Sequence, residues 1–304
     1  MELNLLPKTD LKVSPLCLGT MTFGTPVNEA DSINLTHWAL EHGVNFLDTA
    51  NMYEGYSRYV GSPGGVAEKI LGKALKGKRD QAVVATKVGM KIGPEDNDQG
   101  LSRAHILREI DRSLERLDCD YVDLFYMHKA DLSTPMAESV QAFNEIIDAG
   151  KARYWAISNF TAEQITSLLK ICDENGWRRP VALQPAYSLL KRDIESEILP
   201  LCQREQISVI PYQVLQGGLL TNKYQRGLAV PSDSRQAEKP EWTMALTDEL
   251  FDKLEQIQAD ALREKGRTLL QHALRSLLEQ PGILSLVVGV KRIPQLETLI
   301  AAVE

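Results

Sequence analysis

Short β-favouring runs alternate with longer helical patterns along almost the whole chain, and this alternation restricts the fold more than any other feature. The β-rich runs stand at 16–19, 44–48, 82–87, 121–127, 154–158, 181–184, 208–212 and 284–288. Helix-length stretches follow at 29–42, 67–75, 102–116, 135–149, 161–175, 193–205, 268–279 and 294–303. In the first of these, Ile33, Leu35, Trp38, Ala39 and Leu40 recur at helical spacing and Gly43 closes the pattern. Eight strands alternating with eight helices predict a (β/α)8 barrel and not an open sheet. Residues 5–13 precede the first strand and are expected to form a hairpin over the barrel floor. Residues 219–263 are expected to hold a polar loop and an extra helix, near 247–264, before strand eight. No shift in composition divides the chain, so 1–304 reads as one domain, a length that barrels commonly reach.

Hydrophobic residues make up 43% and charged residues 25% of the chain, as in an ordinary globular protein. A net charge of -7 argues against a general nucleic-acid partner. Cys17, Cys119, Cys172 and Cys202 are scattered with no C-x-x-C pair, so reduced thiols are expected and a zinc site is not. No charged, apolar and small-residue leader is recognisable at the start. The longest clean apolar stretch, 283–290, is far short of a membrane span. The expectation is a cytoplasmic protein with no membrane partner and an oligomeric state left open.

Asp48, Tyr53, Lys87 and His128 each stand at or just past the end of a β-rich run. In a parallel barrel those ends share one face, and that face is where barrel enzymes do chemistry. The four groups make sense as a proton-delivery device. A phenol is a weak acid, with a reference pKa of about 10, and a nearby ammonium favours its ionised form. A carboxylate can hold the ammonium, and an imidazole can orient a carbonyl oxygen beside the phenol. An isolated tyrosine after a strand is ordinarily a loop residue, and a lone lysine there an exposed cap. The spacing Asp48-x-x-x-x-Tyr53, with Lys87 and His128 at later strand ends, reverses that reading. The other four histidines, His37, His42, His105 and His272, fall in helix patterns, and no pair has metal-ligand spacing with a third ligand.

The segments Phe46-Leu47-Asp48-Thr49-Ala50 with Tyr53, Ala85-Thr86-Lys87 and His128 resemble the catalytic segments of the aldo-keto reductases. Gly19-Thr20-Met21-Thr22-Phe23-Gly24, Ser113-Leu114-Glu115-Arg116-Leu117, Asp120-Tyr121-Val122-Asp123-Leu124, Gly150-Lys151-Ala152-Arg153-Tyr154, Ser158-Asn159-Phe160, Gly217-Gly218-Leu219-Leu220-Thr221 and Gln295-Leu296 extend the likeness in order from residue 9 to 301. The resemblance implies hydride transfer from a reduced nicotinamide to an aldehyde or ketone, with Tyr53 protonating the oxygen. No G-x-G-x-x-G motif opens a βαβ unit, so the Rossmann mode of binding is not expected. By resemblance, Ser158, Asn159 and Gln184 meet the nicotinamide carboxamide and Tyr212 stacks under its ring. Gly19, Thr20, Met21, Asp48, Gln213 and Gly289 join them at the cofactor. The phosphates would lie by Leu215, Gly217, Gly218 and Leu219, where glycine lets the backbone approach closely. Lys223, Arg235, Lys291, Arg292 and Gln295 are candidates for the adenosine end. Lys291 and Arg292 favour a 2′-phosphate and hence NADPH, or else are a solvated surface pair.

Four departures from the family pattern matter. The tract 54–65 is longer than the usual glycine-rich link, and either shapes a substrate pocket or is a surface excursion. Gln213 and Val214 stand where a Ser-Pro pair is common. Thr298 and Leu299 stand where Glu-Asn often meets the adenine. The chain stops soon after its last helix, so a long C-terminal substrate loop is either missing or not included in this sequence. Three functions fit this sequence. One is an NADPH-dependent reductase of small carbonyl compounds. Another is a cofactor-binding regulatory subunit resembling the potassium-channel β-subunits, and the last an aldolase with a Schiff base on Lys87.

Overall fold

The computed structural model of the protein describes residues 1–304, apart from the side chain of residue 264. β1 (Asn4–Leu5) and β2 (Lys12–Val13) pair as an antiparallel hairpin. Eight parallel strands follow: β3 (Leu16–Gly19), β4 (Phe46–Asp48), β5 (Val83–Val88), β6 (Val122–Met127), β7 (Ala152–Ser158), β8 (Ala182–Gln184), β9 (Ser208–Val209) and β10 (Leu286–Val288). Their order is β10-β3-β4-β5-β6-β7-β8-β9. Val209 N donates to Gly282 O at 2.8 Å and Val287 N to Pro211 O at 2.9 Å, which brings the last strand back against the seventh. The helices are α1 (Glu29–Glu41), α2 (Val66–Leu75), α3 (Arg103–Leu117), α4 (Met136–Asp148), α5 (Ala162–Asn175), α6 (Ile198–Glu205), α7 (Arg235–Glu238), α8 (Asp248–Lys265), α9 (Leu269–Leu278) and α10 (Ile293–Val303). This is the expected (β/α)8 architecture. No described helix is long and apolar enough to cross a membrane.

Period-two alternation sorts each strand into an inner and an outer row. Cys17, Phe46, Val83, Ala85, Leu124, Tyr126, Ala156, Ala182 and Ile210 fill the barrel interior. Leu18, Leu47, Val84, Phe125, Met127, Ile157 and Leu183 face outward into the layer packed against the helices. Gly19 pairs with Asp48, and Lys87 with Tyr126, in the parallel ladders. The inner row therefore ends at the upper mouth in Gly19, Asp48, Lys87, Ser158 and Gln184. The hairpin closes the other end, where Leu6, Leu11 and Val13 pack on Cys17, Phe46 and Val83. Asn4 Nδ2 ties it down by donating to Leu284 O at 2.8 Å.

Two expected elements depart most from the sequence pattern. The run 208–212 keeps only Ser208–Val209 as ladder, with Tyr212 in an isolated bridge to Ala186. Pro211 has no N–H to give the ladder. The stretch 193–205 divides into a 3₁₀ turn, Asp193–Glu195, and α6. Pro200 falls in the first turn of α6, where its missing N–H leaves no intrahelical bond unmade. The insertion before strand eight is ordered. Leu219, Leu220 and Tyr224 pack with Leu250 and Leu254 of α8 and with Leu269 and Ala273 of α9.

Candidate active site

Four strand ends and two loops bring the chemistry together at the upper mouth. Lys87, wholly buried, donates from Nζ to Asp48 Oδ1 at 2.5 Å and to Thr49 O at 2.8 Å. Gln184 Nε2 donates to the second Asp48 oxygen, Oδ2, at 2.9 Å. The carboxylate is thus fixed by two strands besides its own. The Lys87 ammonium lies 5.2 Å from the centre of the Tyr53 ring and 5.8 Å from that of Tyr126. Tyr53 and His128 meet edge to face, with ring centres 6.0 Å apart. The structure brings all four groups together at this mouth, and beside them Tyr126, which the sequence reading did not single out. The signal for Tyr126 was there, because it shares the inward parity of Leu124.

Electrostatics at the mouth depart from the simple expectation. Burial raises the Tyr53 phenol above its ordinary value of 10.0, and Lys87, the strongest opposing influence, does not overcome it. A lowered phenol was expected, so desolvation outweighs the ammonium. Burial also disfavours the charged Lys87 amine, yet Asp48 and Tyr53 override it and the pKa rises. His128 is driven well below 6.5, by burial first and then by the positive charges of Lys87, Arg58 and Lys129. The ring is neutral near pH 7, and its buried Nδ1 has no protein partner.

Beside this group stands a second polar set. Ser158 Oγ donates to Gln184 O at 2.7 Å. Asn159, held at a φ of 59°, donates from Nδ2 to His128 O at 3.0 Å and accepts from the Tyr212 hydroxyl at 2.9 Å. Thr20 Oγ1 donates to Asp48 O at 3.1 Å, with Gly19 and Met21 on either side. Gln213 is exposed at a φ of 57°.

The predicted phosphate and adenosine residues gather around the insertion. Gly217 and Gly218 have φ of 67° and 101°. A Cβ on Gly217 would lie 2.9 Å from Thr243 Cγ2. Leu219 is buried, while Leu215 and Lys223 are half-buried. Burial lowers the Lys223 amine, partly against the pull of Asp233. Lys291 is not simply solvated: Nζ donates to Asp233 O at 2.7 Å and pairs with Glu238. Arg292 Nη2 meets Asp233 Oδ2 at 2.8 Å. Gln295 Oε1 accepts from Lys291 N at 2.8 Å. Gly289 is exposed with open space at its Cβ position. Thr298 bonds back to Pro294 O at 2.7 Å and Leu299 is buried, so neither presents the polar groups that the family often has there.

The tract 54–65 is built against the mouth. Gly55 has a φ of 66°, and a Cβ there would sit 2.0 Å from Thr25 O. Gly64 has a φ of 71° and faces Asn51 O at 2.1 Å on the same test. Only glycine tolerates both demands. Glu54 Oε1 accepts from Gly64 N at 2.8 Å. Arg58 donates from Nη1 to Met52 O at 3.2 Å and from Nη2 to Lys91 O at 2.8 Å. Tyr56 reaches across to the insertion, meeting the Trp242 ring edge to face at 5.5 Å under the Arg235 guanidinium, 4.8 Å from its own ring centre. Arg58, Tyr56 and Trp242 carry no periodic or motif signal, and the sequence did not single them out. Among the described residues no three His, Cys, Asp or Glu side chains cluster as metal ligands.

Comparison with known proteins agrees with this geometry. The Aldo/keto reductase family model matches residues 15–304. A probable voltage-gated potassium channel subunit beta of Arabidopsis thaliana is 36% identical, over 100% of this chain and 92% of its own. An L-glyceraldehyde 3-phosphate reductase of Escherichia coli O157:H7 is 31% identical, over 99% of this chain and 87% of its own. The holo form of an aldo-keto reductase from Bacillus halodurans superposes with a TM-score of 0.80 at 30% identity, over 100% of this chain and 91% of that one. The chain belongs to the aldo/keto reductase family, and is an NAD(P)H-dependent oxidoreductase acting on carbonyl groups.

Proposed function

We propose that the protein reduces a small aldehyde or ketone to the alcohol with NADPH, using Tyr53 as general acid. One observation carries this reading: the buried Lys87–Asp48 ion pair stands against the ring of a half-buried tyrosine, with a neutral imidazole on its other side. The residues also fit a nicotinamide dinucleotide. Ser158, Asn159 and Gln184 offer an amide-compatible set beside Tyr212, and the buried Tyr56 hydroxyl lacks a partner beside Arg235 and Lys291. Lys223, Arg235, Lys291 and Arg292 would hold the phosphates, and the bound dinucleotide supplies the hydride.

Tyr53 holds its proton at neutral pH and gives it from Oη to the carbonyl oxygen as negative charge grows there. Lys87 favours the phenolate that this leaves, and Asp48 keeps the ammonium in place. His128, neutral, offers an N–H to the same oxygen without competing as an acid. Four free cysteines are in keeping with a cytoplasmic location.

Tyr53→Phe tests the assignment. The ring and its packing survive, so dinucleotide binding, read by intrinsic tryptophan fluorescence, should be retained. Reduction of an activated aldehyde should fall by about 10²–10⁴-fold. Near-parental kcat would remove Tyr53 from the role. The similarity to proteins named channel β-subunits supports a second reading, a regulatory subunit that binds the dinucleotide. The absence of turnover across aldehydes, ketones and quinones, with the dinucleotide bound, would favour it. Borohydride trapping at Lys87 would instead reveal an aldolase.

A further inference from the structure

Arg58 is a cation that makes no salt bridge among the described residues, beside the catalytic Tyr53. It lies five residues past Tyr53, in the tract that the two strained glycines press against the barrel. Its guanidinium is half-buried and makes three hydrogen bonds, to Met52 O, Ser62 Oγ and Lys91 O. Every one of these acceptors is neutral. Among the described residues no carboxylate lies within ion-pair distance of it. The neighbouring Glu54 spends Oε1 on Gly64 N instead.

The two fixed ends of Arg58 locate its charge. Met52 O belongs to the residue preceding Tyr53, and Lys91 O to the loop after β5, the strand that carries Lys87. The guanidinium therefore bridges the two loops that flank the phenol. Its positive charge is felt by Glu54 first, then by Tyr53, and it also acts on His128. An arginine has five N–H donors, so three bonds leave the Nε–H and one Nη2–H, and neither nitrogen is sealed in the interior without a partner. Glu54 is the carboxylate that acts on Arg58, and it does so from beyond ion-pair distance. A partly desolvated cation whose direct hydrogen-bond acceptors are all neutral is costly unless an anion completes it.

We propose that Arg58 binds an anionic group of the substrate, so that this reductase selects carbonyl compounds carrying a carboxylate or phosphate. The planar fork suits a two-oxygen acceptor. The proposal deepens the carbonyl-reductase reading and rests on it.

Paired substrates test it at saturating NADPH. One pair is 4-formylbenzoate and its methyl ester; the other is 4-formylphenyl phosphate and 4-methoxybenzaldehyde. Each anion should exceed its neutral mate in kcat/KM by about tenfold or more, chiefly through KM, as one charge-assisted contact allows. Preference within the carboxylate pair or the phosphate pair identifies the group that Arg58 takes. The ratio should collapse to about one in Arg58→Met and partly return in Arg58→Lys. A ratio near one in the parent overturns the proposal. So does a ratio that survives Arg58→Met while both rates fall, because Arg58 would then only brace the loops. Calorimetry with benzoate and benzamide on the protein saturated with NADP⁺ separates this idea from the reductase reading. Benzoate binding that depends on Arg58 supports the anion site even if no aldehyde turns over, and equal binding of both probes refutes it.

Discussion

At Tyr53 two opposing effects meet, and burial prevails over the Lys87 ammonium. The consequence for pH has a definite sign. The protonated phenol is the form that works in reduction, so activity should hold through neutrality and fall only as pH rises through a value above 10. Lys87 pulls that value down, so Lys87→Met should push the alkaline limit higher. It should also cost about 10²-fold or more in kcat, since it removes charge aimed at the developing phenolate. An unchanged pH–rate profile with normal turnover would take Lys87 out of the mechanism. Asp48, Lys87 and His128 were legible in the sequence because strand parity fixes direction, and Tyr53 by its spacing from Asp48. Asp48 and Lys87 share the inner rows with Phe46 and Ala85, and His128 continues the parity of Leu124 and Tyr126. Their protonation states were not legible, because desolvation depends on everything packed around them.

Among the elements, the insertion between β9 and β10 matters most for the cofactor. It was visible as a polar stretch with one helix, and its extent followed from the helical spacing of 247–264. What it would touch was not visible. Asp233 and Glu238 hold Lys291 and Arg292, while Arg235 and Trp242 lie against Tyr56 from the other side of the mouth. The basic pair is therefore held in position, though partly neutralised. If it reads a 2′-phosphate, NADPH should bind more tightly than NADH. Replacing Lys291 and Arg292 together with alanine should weaken NADPH by about tenfold, leave NADH little changed, and matter less at high salt. Fluorescence titration with each dinucleotide decides it, and equal losses for both would refute the role. The tract 54–65 teaches a similar lesson. Its length marked it as unusual, but its order depends on Arg58, Glu54 and two left-handed glycines whose partners are remote in sequence.

Over the whole molecule, the barrel separates chemistry at one mouth from stability at the other. At the floor, Asp123 accepts from Arg79 at 2.8 Å, from Arg153 at 2.9 Å and from Val84 N at 2.9 Å. Asp123→Ala would take from Arg79 its carboxylate partner and leave the Val84 N–H unpaired, while Arg153 keeps Asp10. It should lower the unfolding free energy by about 1–3 kcal/mol, the cost of leaving a buried donor unpaired. Dinucleotide affinity at low temperature should stay parental, and urea unfolding read together with dinucleotide titration checks both halves. A loss of affinity with unchanged stability would contradict the division of labour. The sequence by itself determined the order of elements, the inward rows and the four groups at the upper mouth, because periodicity and parity are local properties of the chain. Only the tertiary structure decided that burial outweighs Lys87 at Tyr53, that Lys291 is paired and that Arg58 makes no salt bridge. Each of these depends on distances between residues far apart in the chain, or on how much water their packing removes, and neither is written in local sequence.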